Sequence, residues 1–323
     1  MDADTLDDGE LDLIAALQIA PRASLQTLAA TLGVTTGTIG RRLTRVRRDH
    51  DLKFVGQVPW WSGRVTPSHV WISTKPGKVN DVAAAVAGLD ETQFVATTTG
   101  RADVYCILQP DTREGMADLL TSRLPAIPGI VQTHSEVGLH RYASGSSWRV
   151  SRLSDDQEAS LVAHRHGPIP DAPESLTEDE QRIAEVLRRD ARATAAEVAR
   201  DLGRSPSTAY RLTQALLDRG LVQPRVEIEP RLLGFPLEAV ISITTSAKST
   251  KQVAQALAGH PSARYVSTVA GTSTIIHQGL FQHEQGLADF LSDDIADYPG
   301  IQTFDVAIVL DVLTRYWSPR PQS

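Results

Sequence analysis

The 323-residue sequence contains one cysteine, Cys106. An internal disulfide framework is therefore excluded, and the chain fits a reducing cytosol. No apolar run approaches the roughly 20 residues that a bilayer-spanning helix needs, so no membrane partner is expected. The opening MDADTLDDGELD is acidic, where a secretory leader would be basic and then apolar, so none is expected. There is no G-x-S-x-G elbow, no Walker loop and no G-x-G-x-x-G run, which removes the common signatures of serine hydrolysis and of nucleotide binding. There is no excess of positive charge either, since the formal net charge is -7. What the chain does have is an ordinary globular composition, 41% hydrophobic and 22% charged, and length enough for two or more domains.

Against that acidic background, LGVTTGTIGRRLTRVRRD sets Arg41, Arg42, Arg45, Arg47 and Arg48 within one short span. Like charges crowded on a helix repel, so this cluster is not there for stability. A polyanion is the partner it suggests. Local charge governs such an encounter, because potentials are screened within about 8–10 Å at physiological salt.

The sequence is written twice. A shift of 170 residues lays Leu6 on Leu176, Arg22 on Arg192, Leu32-Gly33 on Leu202-Gly203 and Arg41 on Arg211. A shift of 171 carries the match onward, with Gly100 on Gly271 and Pro128-Gly129-Ile130 on Pro299-Gly300-Ile301. The order is A-B-A'-B'. Residues 143–174 read as a linker rich in turn formers, with a short helix after Ser154. The pair His164 and His166 in that linker has no further ligands nearby, so no metal is expected.

Unit A reads as three short helices. Leu11, Leu13, Ile14 and Leu17 give the first its apolar spacing, Ser24 caps the second, Gly33 makes a turn, and Thr35 caps the third. Two short helices joined by a glycine turn are a helix-turn-helix. In the third helix Ile39, Leu43 and Val46 share the buried face, which turns Arg41, Arg45 and Arg48 outward with Arg42 on a flank. In the second copy Ser205-Pro206 starts the helix, Ala209, Leu212 and Leu216 are buried, and Ser207, Tyr210, Arg211 and Gln214 point out. Residues 35–50 carry five Arg and one Asp, whereas 205–220 carry two Arg and one Asp. The first head should therefore supply more phosphate affinity, and the second should read bases with polar groups. Thr36, Thr38 and Thr208 complete the candidate DNA-contacting set. Residues 52–58 and 221–228 read as wings or short hairpins. Trp60-Trp61 has two readings, a packing anchor between units or a base-stacking pair.

Unit B reads as β-α-β-β-α-β, the ferredoxin-like split motif, in 66–142 and again in 236–317. Such a sheet carries helices on one face only, and two B units in one chain can cover each other. Cys106, inside an apolar strand, reads as core. The fold class is α+β, with two winged helix-turn-helix heads (1–62 and 175–230) and two ferredoxin-like βαββαβ domains in tandem.

LGRSPSTAYRL, VEIEPRLLGFPLEAV, TTTGRADVYCIL and ADFLSDDIADYPGIQTFDVAIVL together resemble the Lrp/AsnC, or feast/famine, family of transcription regulators in a double-length form. The resemblance implies double-stranded DNA as partner, a B unit (the family's RAM domain) that binds an amino acid or related small molecule, homodimers or larger assemblies, a cytoplasmic, nucleoid-associated setting, and no cofactor. It places an effector at the loops Thr98, Thr99, Gly100, Arg101 and Asp103, and Ala270, Gly271, Thr272 and Thr274. Gly100 and Gly271 read equally as tight-turn residues, and Asp103 as a capping acid. Two departures stand out: WWSGRVTPSHV occupies the first bridge, and Thr274 replaces Asp103. Tandem relatives of this family include sirohaem decarboxylases, but their His-Asn-Tyr run and Asn-x-Trp-Phe segment are missing here. No catalytic residue is assigned and the chain is expected not to be an enzyme. The other alternative is an assembly module whose heads no longer bind DNA.

Overall fold

The computed structural model describes residues 5–58, 66–168, 170, 174–316 and 318–319; Trp60 and Trp61 lie outside them. The chain divides into two compact units, one from 1–63 with 149–234 and the other from 64–148 with 235–323. The order A-B-A'-B' along the chain thus becomes A with A' and B with B' in space.

The first unit holds both heads. Helices α1 (Asp8–Ile19), α2 (Leu25–Leu32) and α3 (Thr36–Asp49) form the first, and α7 (Glu178–Arg189), α8 (Ala195–Leu202) and α9 (Pro206–Asp218) the second. Their starts are set by side-chain oxygens. Ser24 accepts from the Thr27 amide, Thr35 from Thr38, and Ser205 from Thr208 ahead of Pro206. Gly33 and Gly203 end α2 and α8 at φ 65° and 66°, the left-handed region that makes the turn of each helix-turn-helix. Leu13, Ile14, Leu17, Leu28, Ile39 and Val46 fill the first core, and Ile183, Leu187, Val198, Ala209, Leu216 and Leu217 the second. Leu43 and Leu212, which the spacing puts fully inside, are half-buried, and Thr213 is buried in α9 instead. The inward face of α9 is therefore rotated by about one residue from the simple 100° reading.

Among the described residues the wings do not close hairpins within each head. Strand β1 (Lys53–Gln57) pairs antiparallel with β6 (Gln223–Glu227) of the other head, from Lys53 opposite Glu227 to Gln57 opposite Gln223. Arg22 donates to the Ala191 carbonyl and Arg192 to the Ala23 carbonyl, so each head sends one arginine to the backbone of the other. The Arg192 guanidinium also lies 4.9 Å from the Phe54 ring centre. Helix α6 (Asp155–Val162), from the segment expected as linker, packs on α1 and α2, with Gln157 donating to the Thr31 carbonyl at 3.1 Å.

The second unit holds both B copies. The first has β2 (Ser68–Thr74), α4 (Val79–Ala87), β3 (Thr92–Thr98), β4 (Val104–Leu108), α5 (Arg113–Asp118) and β5 (Ile130–Ala143). The second has β7 (Leu237–Thr245), α10 (Thr250–Gly259), β8 (Ala263–Ala270), β9 (Ile275–Phe281), α11 (Glu284–Asp289) and β10 (Ile301–Arg315). Each copy alone is a four-stranded sheet. The long last strands join them: β5 pairs with β8 and β10 with β3. The sequence β10-β3-β4-β2-β5-β8-β9-β7 then returns to β10, so the sheet closes on itself. Helices of each copy cover its outer face over Val70, Val82, Val86, Cys106 and Leu119, or over Ile241, Val253, Leu257, Ile275 and Phe290. Between the sheets lies a shared layer that includes Trp71, Phe94, Tyr105, Val240, Ile276 and Ala307.

That layer is polar on one side of its pseudo-twofold axis. Buried His69 lies 2.6 Å by Nδ1 from the Tyr105 hydroxyl and 3.2 Å by Nε2 from that of Tyr265, and Gln278 donates to Tyr105 at 3.2 Å. The counterparts of His69, Tyr105, Tyr265 and Gln278 at a shift of 171 are Val240, Ile276, Phe94 and Ile107. Burial pushes His69 down to about 4, and His277, stacked 5.1 Å from Phe290, down to about 3. Both are neutral in the folded chain at pH 7.

Two outcomes follow from this packing. A Cβ on Gly56 would stand 2.7 Å from the Leu187 carbonyl oxygen and 2.8 Å from Val222. Gly56→Ala should therefore cost about 1–3 kcal/mol in denaturant unfolding, against about 1 kcal/mol for Gly33→Ala, where strain alone acts. Equal costs would mean the heads are not packed this closely. Below pH 6.5 the unfolded chain takes up protons on His69 and His277 that the folded chain refuses. Stability is thus fully present above 6.5 and falls as the pH drops towards 4, by up to about 1.4 kcal/mol per pH unit for each histidine. His69→Val should flatten that slope, and an unchanged slope would show that His69 titrates normally.

Candidate functional site

Helix α3 presents the basic surface, but its arginines are not equivalent. Glu10, fully buried on α1, closes a capping box with Asp7 and lies 3.2 Å from Arg45 Nε, with Asp7 adding a second contact at 3.7 Å. Arg45 is therefore paired with acids of its own head, while its side chain stays 40% exposed on the outward face of α3. Arg42 lies against Gly9, and Arg47 pairs with Asp190 of the second head at 3.4 Å. Arg41 is exposed, touching Thr38 at 3.4 Å, and Arg48 is 73% exposed beside its neighbour Asp49. With Gly37, Gly40, Thr44 and Arg45 they line a shallow groove of about 460 Å³. Two glycines on that face cost helix propensity, roughly 1 kcal/mol each, and leave a smooth surface that another backbone can approach closely. Thr36 is exposed, whereas Thr38 and Thr208 are engaged in the N-caps of their helices. On α9 Ser207, Arg211 and Tyr210 are exposed, Tyr210 by 58%, and Gln214 is half-exposed.

In the second unit the two glycine loops each lie against the last strand of the other B copy. Gly100 has φ 86° and sits where a Cβ would be 3.1 Å from the Val306 carbonyl oxygen. Thr99 exchanges bonds with Ile308, its amide donating at 2.9 Å and its hydroxyl accepting at 3.0 Å, while Thr98 donates to Ala102. Gly271 packs on Glu136, whose Cγ would be 2.5 Å from an added Cβ. Glu136 is fully buried on β5 and accepts from the Ser273 amide at 2.8 Å and the Thr272 hydroxyl at 3.0 Å. Burial alone would raise its pKa, but those donors and the nearby Arg101 charge prevail and hold it below the usual carboxylate range. Its Oε2 is buried without a partner among the described residues.

Asp103 is bonded back to the end of β2 in its own copy. Its Oδ2 accepts from the Thr74 amide at 2.6 Å and the Thr74 hydroxyl at 3.0 Å. Thr274 takes the same position in the second copy, its hydroxyl accepting from the Thr245 amide at 2.9 Å. Both residues tie the start of one strand to the end of another, and Ala270 is an exposed strand end. Of the loop residues named from sequence, Arg101 and Thr272 meet in one pocket of about 260 Å³, lined also by Trp71, Ser73, Ala102, Gln132 and His134. The strand residues of that wall were missed. Gln132, His134 and Glu136 alternate along β5, and that period of two was the available signal. Among the described residues no cluster of three or more His, Cys, Asp or Glu could hold a metal, and no helix is long and apolar enough to cross a membrane.

The Lrp/AsnC ligand-binding domain model matches residues 69–148 and 238–316, and the IclR helix-turn-helix domain model matches 182–225. The chain is similar to the HTH-type transcriptional regulator LrpA of Pyrococcus horikoshii, 27% identical over 43% of this chain and 99% of that protein. It is similar to the HTH-type transcriptional regulator AldR of Mycobacterium tuberculosis, 28% identical over 41% of this chain and 77% of that one. Among solved structures, the siroheme decarboxylase NirDL shares its fold with a TM-score of 0.62 at 13% identity, over 95% of this chain and 92% of that one. This overturns the expectation that enzymes are excluded: the double-length architecture is one that an enzyme uses.

Arg45→Ala should destabilise the heads by about 1–3 kcal/mol, because Glu10 is left buried without its cation. Arg41→Ala should stay within about 0.5 kcal/mol of the parent. Chemical denaturation of both variants checks this, and a neutral Arg45→Ala would remove the structural role given to that pair.

Proposed function

We propose that this chain, a member of the Lrp/AsnC family that carries the family's ligand-binding domain twice, is a DNA-binding transcription regulator responsive to a small molecule held by its B copies. The observation that carries the reading is the face of α3, where exposed Arg41 and Arg48 flank Gly37, Gly40 and Thr44. A helix face of that kind lets guanidinium groups reach phosphates and base edges while the backbone approaches the groove. Helix α9, with Ser207, Tyr210, Arg211 and Gln214, supplies a less charged second reader. Because the heads pair within one chain through β1 and β6, they act as a fixed couple of unlike readers on two unlike half-sites. An amino acid or related effector at the B copies shifts DNA affinity by preferring one conformation, as linkage requires. Such a regulator works in the cytoplasm, on the nucleoid. Exposed Leu139 and Leu310, counterparts on β5 and β10, with Val131 and Phe304, support association of chains into homodimers or larger assemblies.

A second reading is favoured by the whole-length fold. NirDL has also been solved in co-complex with an iron-uroporphyrin III analogue, at a TM-score of 0.61 with this chain, so a tetrapyrrole-directed enzyme is the alternative.

One pair of measurements separates the two. Binding to a native promoter fragment should weaken in Arg41→Ala/Arg48→Ala, and the slope of log K against log salt should flatten by roughly 0.9 for each phosphate no longer neutralised. If affinity and slope both stay unchanged, α3 is not the reader. Saturable spectral binding of an iron-porphyrin probe, with release of CO2 from sirohaem, would instead carry the enzyme reading.

A further inference from the structure

Arg45 is the arginine of α3 that a buried acid holds. Glu10 is fully buried, and its Oε2 accepts the Asp7 amide at 3.0 Å in the capping box of α1. That leaves Oε1 inside the head, with Arg45 Nε at 3.2 Å as its cation. A buried carboxylate keeps such a cation, because losing it strands the charge. Asp7, 52% exposed, stands 3.7 Å from Nη1, beyond hydrogen-bond reach. Among the described residues Nη2 has no partner. The guanidinium is thus pinned at Nε, which leaves its end-on pair of Nη donors to the groove that Arg45 lines.

The other arginines of the groove are held differently. Arg41 touches Thr38 at 3.4 Å, and Arg48 folds onto its exposed neighbour Asp49, with Nε and Nη2 at 2.6 and 2.8 Å. Neither is fixed by the core of the head. A mobile cation serves a phosphate, which accepts charge from many directions. A base edge asks for more: guanine presents O6 and N7 side by side, and two parallel N–H groups must arrive in their plane. A guanidinium already held in orientation meets that demand with little further loss of rotamer freedom. Gly37, Gly40 and Thr44 form a row of small groups beside Arg41, Arg45 and Arg48. The helix can therefore sink far enough for a side chain of its third turn to reach a base.

The second head lacks this device. At a shift of 170 the place of Arg45 is taken by exposed Ala215. Glu180, the counterpart of Glu10, pairs instead with Arg219, just past the end of α9. The same capping acid serves a groove-lining arginine in the first head and a helix end in the second.

We infer that Glu10 is a positioning residue for Arg45, and that Arg45, so held, is the specificity-determining side chain of α3, reading the O6 and N7 edge of a guanine in the major groove, while Arg41 and Arg48 supply phosphate affinity. Glu10 itself, being buried, touches no DNA. The inference deepens the proposed function and rests on α3 being the reader.

Equilibrium binding of the full chain to three duplexes tests it: a native promoter fragment recovered by genomic footprinting, a scrambled fragment of the same composition, and the native fragment with 7-deazaguanine at the guanines of the half-site that α3 protects. Loss of N7 should cost the parent chain about 5-fold or more in affinity. In Glu10→Gln, which keeps the capping box, that penalty should vanish and the preference for native over scrambled DNA should fall. Affinity for the scrambled fragment should rise instead. Its slope of log K against log salt should steepen by roughly 0.9, because the freed Arg45 charge neutralises a further phosphate. A merely structural role would weaken both fragments alike and leave the 7-deazaguanine penalty in place. Should Glu10→Gln not fold, Arg45→Lys reads the same point, since it keeps the charge, lacks the planar fork and should lose the penalty. No penalty in the parent, or a penalty that survives in the variant that folds, would overturn the inference. If Arg41→Ala/Arg48→Ala also leaves affinity and slope unchanged, α3 is not the reader and the proposed function falls with it. If that pair weakens binding, only the role of Arg45 and Glu10 falls.

Discussion

Hydrogen bonding between strands of the two sequence copies is the constraint on which the molecule depends. It acts twice, once where β1 meets β6 in the heads and once where β5 and β10 join the two B sheets into a closed circuit. A four-stranded sheet with helices on one face would leave the other face wet and two edges open. Joining the copies covers the face and removes the edges in one step. Because both copies belong to one chain, the partner is present at an effective concentration that dilution does not reduce.

Once the copies are covalently joined, they need not remain alike. In the B layer the polar chain His69, Tyr105, Tyr265 and Gln278 sits on one side, opposite Val240, Ile276, Phe94 and Ile107. A single two-chain interface cannot do this, since each substitution would appear twice. At the B loops, Arg101 of the first copy is answered by Thr272 in the second. The heads follow the same rule, with a strongly basic α3 set against a mildly basic α9.

Much of this was legible in the residues. Ser24, Thr35 and Ser205 announce helix starts, and Gly33 and Gly203 announce turns, because caps and left-handed positions are local in sequence. The B units were legible through their alternation of strand and helix, and the family through several weak matches in fixed order. What the sequence hid was contact between distant elements. The pairing of β1 with β6 joins residues about 170 apart, and each strand read alone looked like half of a local hairpin. The tether of Arg45 comes from Glu10, two helices earlier. The pocket wall comes from β2 and β5, whereas loop motifs drew attention to Asp103, which the fold uses to fasten a strand end. The enzyme relatives of this double-length form were named from the sequence and set aside for two missing motifs; at 13% identity a whole-length fold is shared although such local runs are not.

The circuit of strands also dictates an order of events during synthesis. Strand β10, at residues 301–315, pairs with β3 at 92–98 and with β7 at 237–245. A ribosome that has released only the first half of the chain therefore displays a B sheet whose edges await partners that are not yet made. Neighbouring nascent chains on the same messenger carry the same unfilled edges, complementary to one another. Exchange of whole halves between sister polypeptides is the natural misassembly of this design, and slow translation or an early stop would favour it.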